Sequence, residues 1–561
     1  MAPRAVTVGD LPAAAIEQVL LYLSPVDRAA ASATCRTWRS IEVSSRLLYG
    51  DLTLDGQCFG PECGGDGASS VGSWLAARLE AIQHFKLWTP YRLDSLASGV
   101  VDLLASANKL LSLQYVSSDK SLSRSLGSLA KLTSLRALQI LVPSDGGAAL
   151  ALRARDISKL KPLRNLRAIR LNVAEIRGGL PAPLLKAWSR VESLHITARF
   201  RMAGESLRHL TSLRRLELNG VTLSPPDEET AARLTALEHL AIQPAAEDVA
   251  RWQELELWAA LHRLPALRTL QASVDVLALL QSQGAAVHEA GVAELLAAPA
   301  AEGGVPDGIL VCRHLRHVVL PMMVERLPEL RPGQLPALTR LELPDSMAQS
   351  WPASWATHLP TLRALALNGA ASLARQLPAE FSRLRRLERL ELRACGLRAL
   401  PAPVAALPAL KRLDLGINRL EDLPEGPYLA NLEWLGLRQN PLRHVPPALA
   451  GAARLEALDL GECDALELAP ERDIQGTLAR APALRALVLA RSLDRPWAAE
   501  LLAELARQLP DLQVALERCG PAPGALGADG EVSDFFVEER GEEVERGASQ
   551  AVVLEELETS E

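Results

Sequence analysis

Between Leu387 and Cys463 one phrase returns at a nearly fixed interval. Residues 387–409 read LERLELRACGLRALPAPVAALPA, 410–431 read LKRLDLGINRLEDLPEGPYLAN, 432–454 read LEWLGLRQNPLRHVPPALAGAAR, and LEALDLGEC opens the next unit at Leu455. The shared frame is LxxLxLxx(N/C)xL with a period of 22 or 23 residues. In LxL the leucines alternate with another residue, as in a strand with one buried face. One such strand cannot bury its leucines alone, so successive units must stack and share a continuous core. A chain of 561 residues written this way is expected to be an array and not a set of separate globular domains.

The first position of the frame recurs at Ile82, Leu110, Leu135, Leu166, Val191, Leu213, Leu237, Leu267, Leu315, Leu338, Leu362, Leu387, Leu410, Leu432, Leu455, Leu484 and Leu512, 17 candidates in all. The ninth position runs Cys395, Asn418, Asn440, Cys463. An asparagine there can bond the backbone of neighbouring turns, a ladder for groups that stacking would otherwise bury unpaired. The steps Leu400-Pro401, Leu423-Pro424 and Val445-Pro446 mark where the chain turns onto the other side of each unit. Only 4% of residues are aromatic against 48% hydrophobic overall, so the core must be aliphatic. The pattern resembles the leucine-rich repeat, and the resemblance implies an α/β solenoid, a horseshoe with parallel strands on its concave face.

The array is expected over residues 76–520, about 17 units, with an insertion near 275–313 that is a loop or a loop carrying a disguised repeat. At ~4.8 Å between strands the inner arc would run roughly 75 Å, a surface for a macromolecule and not a pocket for a metabolite. Residues beside the second and third leucines face the concavity. They include Arg389, Glu391, Arg393, Arg412, Asp414, Trp434, Arg438 and Asp459. An aromatic between arginines on an exposed sheet has the composition of an interaction hot spot, with Trp434 at its centre. The alternative is a set of solvated cross-strand charge pairs, such as Arg389 beside Asp414.

The N-terminus does not follow the repeat. In GDLPAAAIEQVLLYLSPVDRAAA, Pro12 suits a first helical turn, and Ile16, Val19, Leu20 and Leu23 recur at helical spacing. Ser24, Pro25 and Asp27 open a second helix, and SATCRTWRSI follows with Cys35 and Trp38. A unit of this size has too small a core to stand alone, and a helix apolar on more than one face needs a partner. Leu11-Pro12, Ile16, Val19-Leu20, Leu23-Ser24-Pro25, Asp27, Cys35-Arg36 and Trp38-Arg39 resemble the F-box. That resemblance implies a three-helix unit at residues 9–50 that inserts into the Skp-type adaptor of a Skp–cullin–F-box ubiquitin ligase, and through it meets a cullin–RING ligase. Leu11, Pro12, Ile16, Leu20 and Leu23 would touch the adaptor, with Cys35 and Trp38 packed within or against it. Ala14 replaces the usual acidic residue and Arg28 the usual leucine. The repeats would then bind a protein substrate. The alternative is a non-ligase scaffold or an enzyme regulator, such as a GTPase-activating or nuclease-inhibiting repeat protein, whose N-terminal helices only cap the solenoid.

Several chemistries are not written here. The net charge is −7, of which Asp529–Glu561 carries −10, leaving +3 for the rest, a balance that argues against nucleic acid as the main partner. The seven cysteines are scattered, which fits reduced thiols in the cytoplasm or nucleus. Cys58 and Cys63 have no second pair with which to hold zinc, and His314 and His317 lack partners at ligand spacing, so no metal is expected. No phosphate-binding loop, dinucleotide fingerprint or nucleophile elbow occurs, so neither a cofactor nor catalysis is expected. No apolar run is long enough to span a membrane. Residues 51–75 read as a Gly-rich linker, and 1–8 and the acidic 521–561 as disordered by composition.

Overall fold

In the folded chain the leucines of each repeat become three columns. A computed structural model of the protein describes residues 51–55, 73–89, 94–117, 122–142, 151–243, 261–272, 305, 307–320, 324, 326–490 and 497–517, with Leu20 and Ser40 as single positions. It divides into two units, Met1–Arg518 and Cys519–Glu561, of which the second lies outside the described residues. So do 1–8 and the middle of the insertion.

Among the described residues one sheet of 19 strands runs through the first unit; every pairing is parallel, and from Arg340 to Leu489 it joins equal positions of successive repeats. Leu341, Leu365, Leu390, Leu413, Leu435, Leu458 and Leu487 are Cα partners in sequence along the sheet, and all are buried. The leucines two residues later, from Leu343 to Leu489, form a second buried column, and the anchors from Leu338 to Leu484 a third. Fully burying a leucine contributes about 1.5–3 kcal/mol. No single repeat gains this alone, because the neighbours supply the cover. This is a leucine-rich-repeat solenoid.

The side away from the sheet is built of short helical turns, among them Ala353–His358, Ala402–Ala405 and Pro447–Gly451. Each follows an extended proline, Pro352, Pro401 and Pro446. The proline ring fixes φ and lacks a backbone N–H, so it starts a turn but cannot continue a strand. Trp351 is an aromatic exception within the aliphatic core, set edge-on to Trp355 and Phe381 at 5.6 Å between centroids.

Seventeen strands lie at or just after the predicted anchors, and two do not. Asp51–Asp55, expected in the linker, pairs with His84–Thr89 through Leu52↔Phe85 and Leu54↔Leu87. Its alternation DLTLD is a strand pattern whose partner lies about thirty residues on, beyond the glycines that dominate the composition. Ala151–Arg153 adds a short strand beside the far end of Ala168–Arg177. Thr269–Ala272 pairs directly with His317–Val319, so the sheet is continuous across the insertion. The last anchor is displaced by one residue: Val514 and Leu516 oppose Leu487 and Leu489, which puts Asp511, not Leu512, level with Leu484. Among the described residues no helix is long and apolar enough to cross a membrane.

Candidate protein-binding face

Parallel, in-register repeats place equal positions side by side. On the open face of the sheet Arg389, Arg412 and Trp434 are successive partners in one row. Glu391, Asp414, Gly436 and Asp459 make the adjacent row. Arg393 and Arg438 stand two residues further along their chains. The strands Arg389–Glu391, Arg412–Asp414, Trp434–Gly436 and Ala457–Leu460 therefore carry six of the eight sequence-derived residues on one face, and Arg393 and Arg438 lie just past the ends of two of them.

The charge pairing differs from the expected one. Arg389 neighbours Arg412, and Glu391 neighbours Asp414, so like faces like across strands. Among the described residues no ion pair joins Arg389 to a carboxylate. Asp414 is met instead by Arg393, with Nη1 3.3 Å from Oδ2, and accepts the Gly416 N–H at 2.9 Å. Burial raises the Asp414 carboxyl, Glu391 adds to the rise, and the Gly416 and Arg393 contacts only partly offset it. Arg438 is paired with Glu462, which also accepts from Gln439. Burial alone would raise Glu462, but these hydrogen bonds outweigh it and hold the carboxyl below its usual range. His317, which has no carboxylate at ligand spacing in the sequence, sits 2.8 Å from Glu342 on the next strand, and Arg340 Nε reaches the same oxygen at 2.6 Å.

Trp434 is held by two features. The Arg412 guanidinium carbon lies 5.2 Å from the centre of its ring. Such a contact contributes about 0.5–1 kcal/mol at an exposed site. Gly436 leaves the ring room: a Cβ there would lie 2.5 Å from Trp434 Cη2 and 3.0 Å from Asp414 Oδ1. The indole is thus laid along its own strand, half-buried, with an arginine on it.

At the ninth position the donors reach back one repeat. Cys395 Sγ, Asn418 Nδ2, Asn440 Nδ2 and Cys463 Sγ donate to the carbonyls of Leu367, Leu392, Leu415 and Leu437 at 3.1, 2.7, 2.9 and 3.3 Å. Asn418 Oδ1 also accepts from the N–H groups of Cys395 and Leu397, which a thiol in its place could not do so well. Burial pushes both thiols, and that of Cys312, up to about 11, so they are protonated packing groups and not nucleophiles.

Two features were not read from the sequence. One residue before each ladder position the backbone turns left-handed, at Asp345, Gly369, Ala394, Ile417, Gln439 and Glu462. Only one of these is glycine, and a β-branched residue is rare in that region. Ile417 is also 42% exposed, beside the open face. The second is Asp473, fully buried, which accepts from the N–H groups of Val445 and Ala469 and from Arg472. The adjacent Arg472-Asp473 pair was its only trace in the sequence.

Of the N-terminal set, Leu11, Pro12, Ile16, Leu23, Cys35 and Trp38 lie outside the described residues. Leu20 is helical and buried within the chain.

Residues 9–49 match the family model of the F-box domain. No curated protein matches the chain. Among solved structures it is similar to a leucine-rich-repeat protein of Leptospira interrogans, at 20% identity over 73% of this chain and 91% of that one, with a TM-score of 0.44. An internalin of Listeria monocytogenes is similar at 18% identity over 71% and 94%, with a TM-score of 0.37. The Toll–Spatzle complex of Drosophila is similar at 17% over 78% and 50%, with a TM-score of 0.39. Residues 9–49 thus carry an F-box domain, and in sequence it precedes the parallel-stranded solenoid described above.

Proposed function

We propose that this protein is the substrate-recognition subunit of a Skp–cullin–F-box ubiquitin ligase. The observation that carries the reading is the F-box at residues 9–49 in front of a long parallel sheet with an open, charged face. In this reading Leu11, Pro12, Ile16 and Leu23 contact the Skp-type adaptor, while Cys35 and Trp38 pack the unit. The target lies along Arg389, Glu391, Arg393, Arg412, Asp414, Trp434, Arg438 and Asp459, with the indole as its anchor. The ligase chemistry belongs to other subunits, through the cullin and its RING partner. This chain contributes proximity, holding a lysine of the target near a charged ubiquitin carrier, which converts a bimolecular encounter into an effectively intramolecular one. Such a subunit works in the cytoplasm or the nucleus and needs no cofactor of its own.

The test is co-purification with a Skp-type adaptor, comparing the wild type with Ile16→Glu. A carboxylate at a dry contact costs several kcal/mol. Circular dichroism must first show that the variant keeps its fold. A complex that forms with the wild type and is lost in the variant supports the reading. Failure of the wild type to bind leaves a scaffold whose N-terminal helices only cap the array.

A further inference from the structure

A second surface lies on the flank of the solenoid, where the helical turns run back into the strands. Here Lys161, Arg164, Lys186, Arg190 and His209, drawn from three successive repeats, line an open groove of about 1050 Å³ with no acidic residue among them. Its apolar part comes from Pro162, Pro183 and Ala187. Lys161, Arg164 and Lys186 are exposed, and among the described residues none has a carboxylate partner.

The groove is held by its own polar chain. Arg190 Nη1 donates to Asn165 Oδ1 at 3.3 Å, and Asn165 Nδ2 donates to the Thr133 carbonyl at 2.9 Å, so three turns are tied side to side. A smaller hollow beside it adds Arg136, together with Arg167, which is itself paired with Glu192 at 2.9 Å. His209 reports the local field: burial, then the charges of Arg208, Lys186 and Arg233, hold its pKa below the usual value. Elsewhere along this flank cations are neutralised, as in Arg363 with Glu388 and Arg214 with Glu238. The concentration of unpaired positive charge here is local, in a chain whose net charge is −7.

We propose that this groove is a docking site for an acidic segment of a partner protein, a peptide whose Asp and Glu side chains reach Lys161, Arg164, Lys186 and Arg190 while small residues between them rest on the prolines. A peptide fits better than nucleic acid because the lining has no Phe, Tyr or Trp on which a base could stack, and His209 is its only aromatic ring. The inference is independent of the adaptor contact and of the open sheet face.

The test uses the full chain and a fluorescein-labelled peptide of aspartate, glutamate and alanine, with anisotropy as the readout. Arg164→Glu with Lys186→Glu removes the groove's charge. Arg385→Glu with Arg454→Glu makes the same change in net charge at exposed arginines of distant repeats. Lys161→Ala with Lys186→Ala shortens exposed side chains without reversing charge, which guards against a misfolded reversal. The wild type and the distant pair should bind alike, and both groove pairs should bind at least about tenfold more weakly. Raising salt from about 50 to about 300 mM should weaken binding to the wild type. No binding by the wild type, equal loss in the distant pair, or tighter binding of duplex DNA or phosphatidylserine vesicles than of the peptide would overturn the proposal.

Discussion

The guanidinium of Arg412 stands 5.2 Å from the ring centre of Trp434, its partner one strand along the sheet. On the other side the same indole occupies the space that a side chain at Gly436 would need. A large aromatic is therefore positioned on the open face before any partner arrives, which lowers the entropy lost on binding.

This placement gives a double-mutant prediction. Gly436→Ala should destabilise the protein by about 1 kcal/mol, because the new methyl drives the ring off its seat. In a Trp434→Ala background the same change meets only Asp414 Oδ1 and should cost clearly less, so that the two sites are coupled by on the order of 0.5–1 kcal/mol. Guanidinium unfolding of the four proteins measures it. An equal cost in both backgrounds would mean that the indole does not rest on Gly436.

The ladder makes a second. Asn418→Ala strands the buried N–H groups of Cys395 and Leu397 and the carbonyl of Leu392, and should cost about 2–4 kcal/mol. Cys463→Ala removes one weak donor to Leu437 and should cost about 1 kcal/mol. Urea midpoints with unchanged slopes would compare them. Equal losses would show that the asparagine's extra bonds carry no weight.

A third concerns pH. Burial would raise the Glu342 carboxyl, but the His317 hydrogen bond and the Arg340 charge outweigh it and set it below its usual range. The unfolded chain then holds more protons at this site in mildly acidic solution, so the contribution to stability is present above the ordinary carboxylate pKa. It is lost as pH falls through the folded value. Glu342→Gln should be less stable than the wild type near pH 7, and the gap should close below about pH 4. A gap that persists undiminished in acid would mean that the charge of Glu342 contributes nothing.

What the sequence determined by itself was whatever repeats. Leu390, Leu413 and Leu435 are each buried by a rule that their own unit states, because every repeat meets the same neighbours. Period, inward leucines and ladder positions were therefore legible one unit at a time, and the N-terminal motif was legible because it is one contiguous stretch. The tertiary structure decided what depends on which unit lies beside which. In-register stacking put Arg389 next to Arg412 and sent Asp414 to Arg393, a relation between positions that no single repeat contains. It closed the sheet across the insertion, recruited Asp51–Asp55 as a strand, and gathered Lys161, Arg164, Lys186 and Arg190 into one groove. Each of these residues is an unremarkable exposed cation in its own repeat. Charges act through space and not along the chain, so their sum is visible only once the turns are stacked.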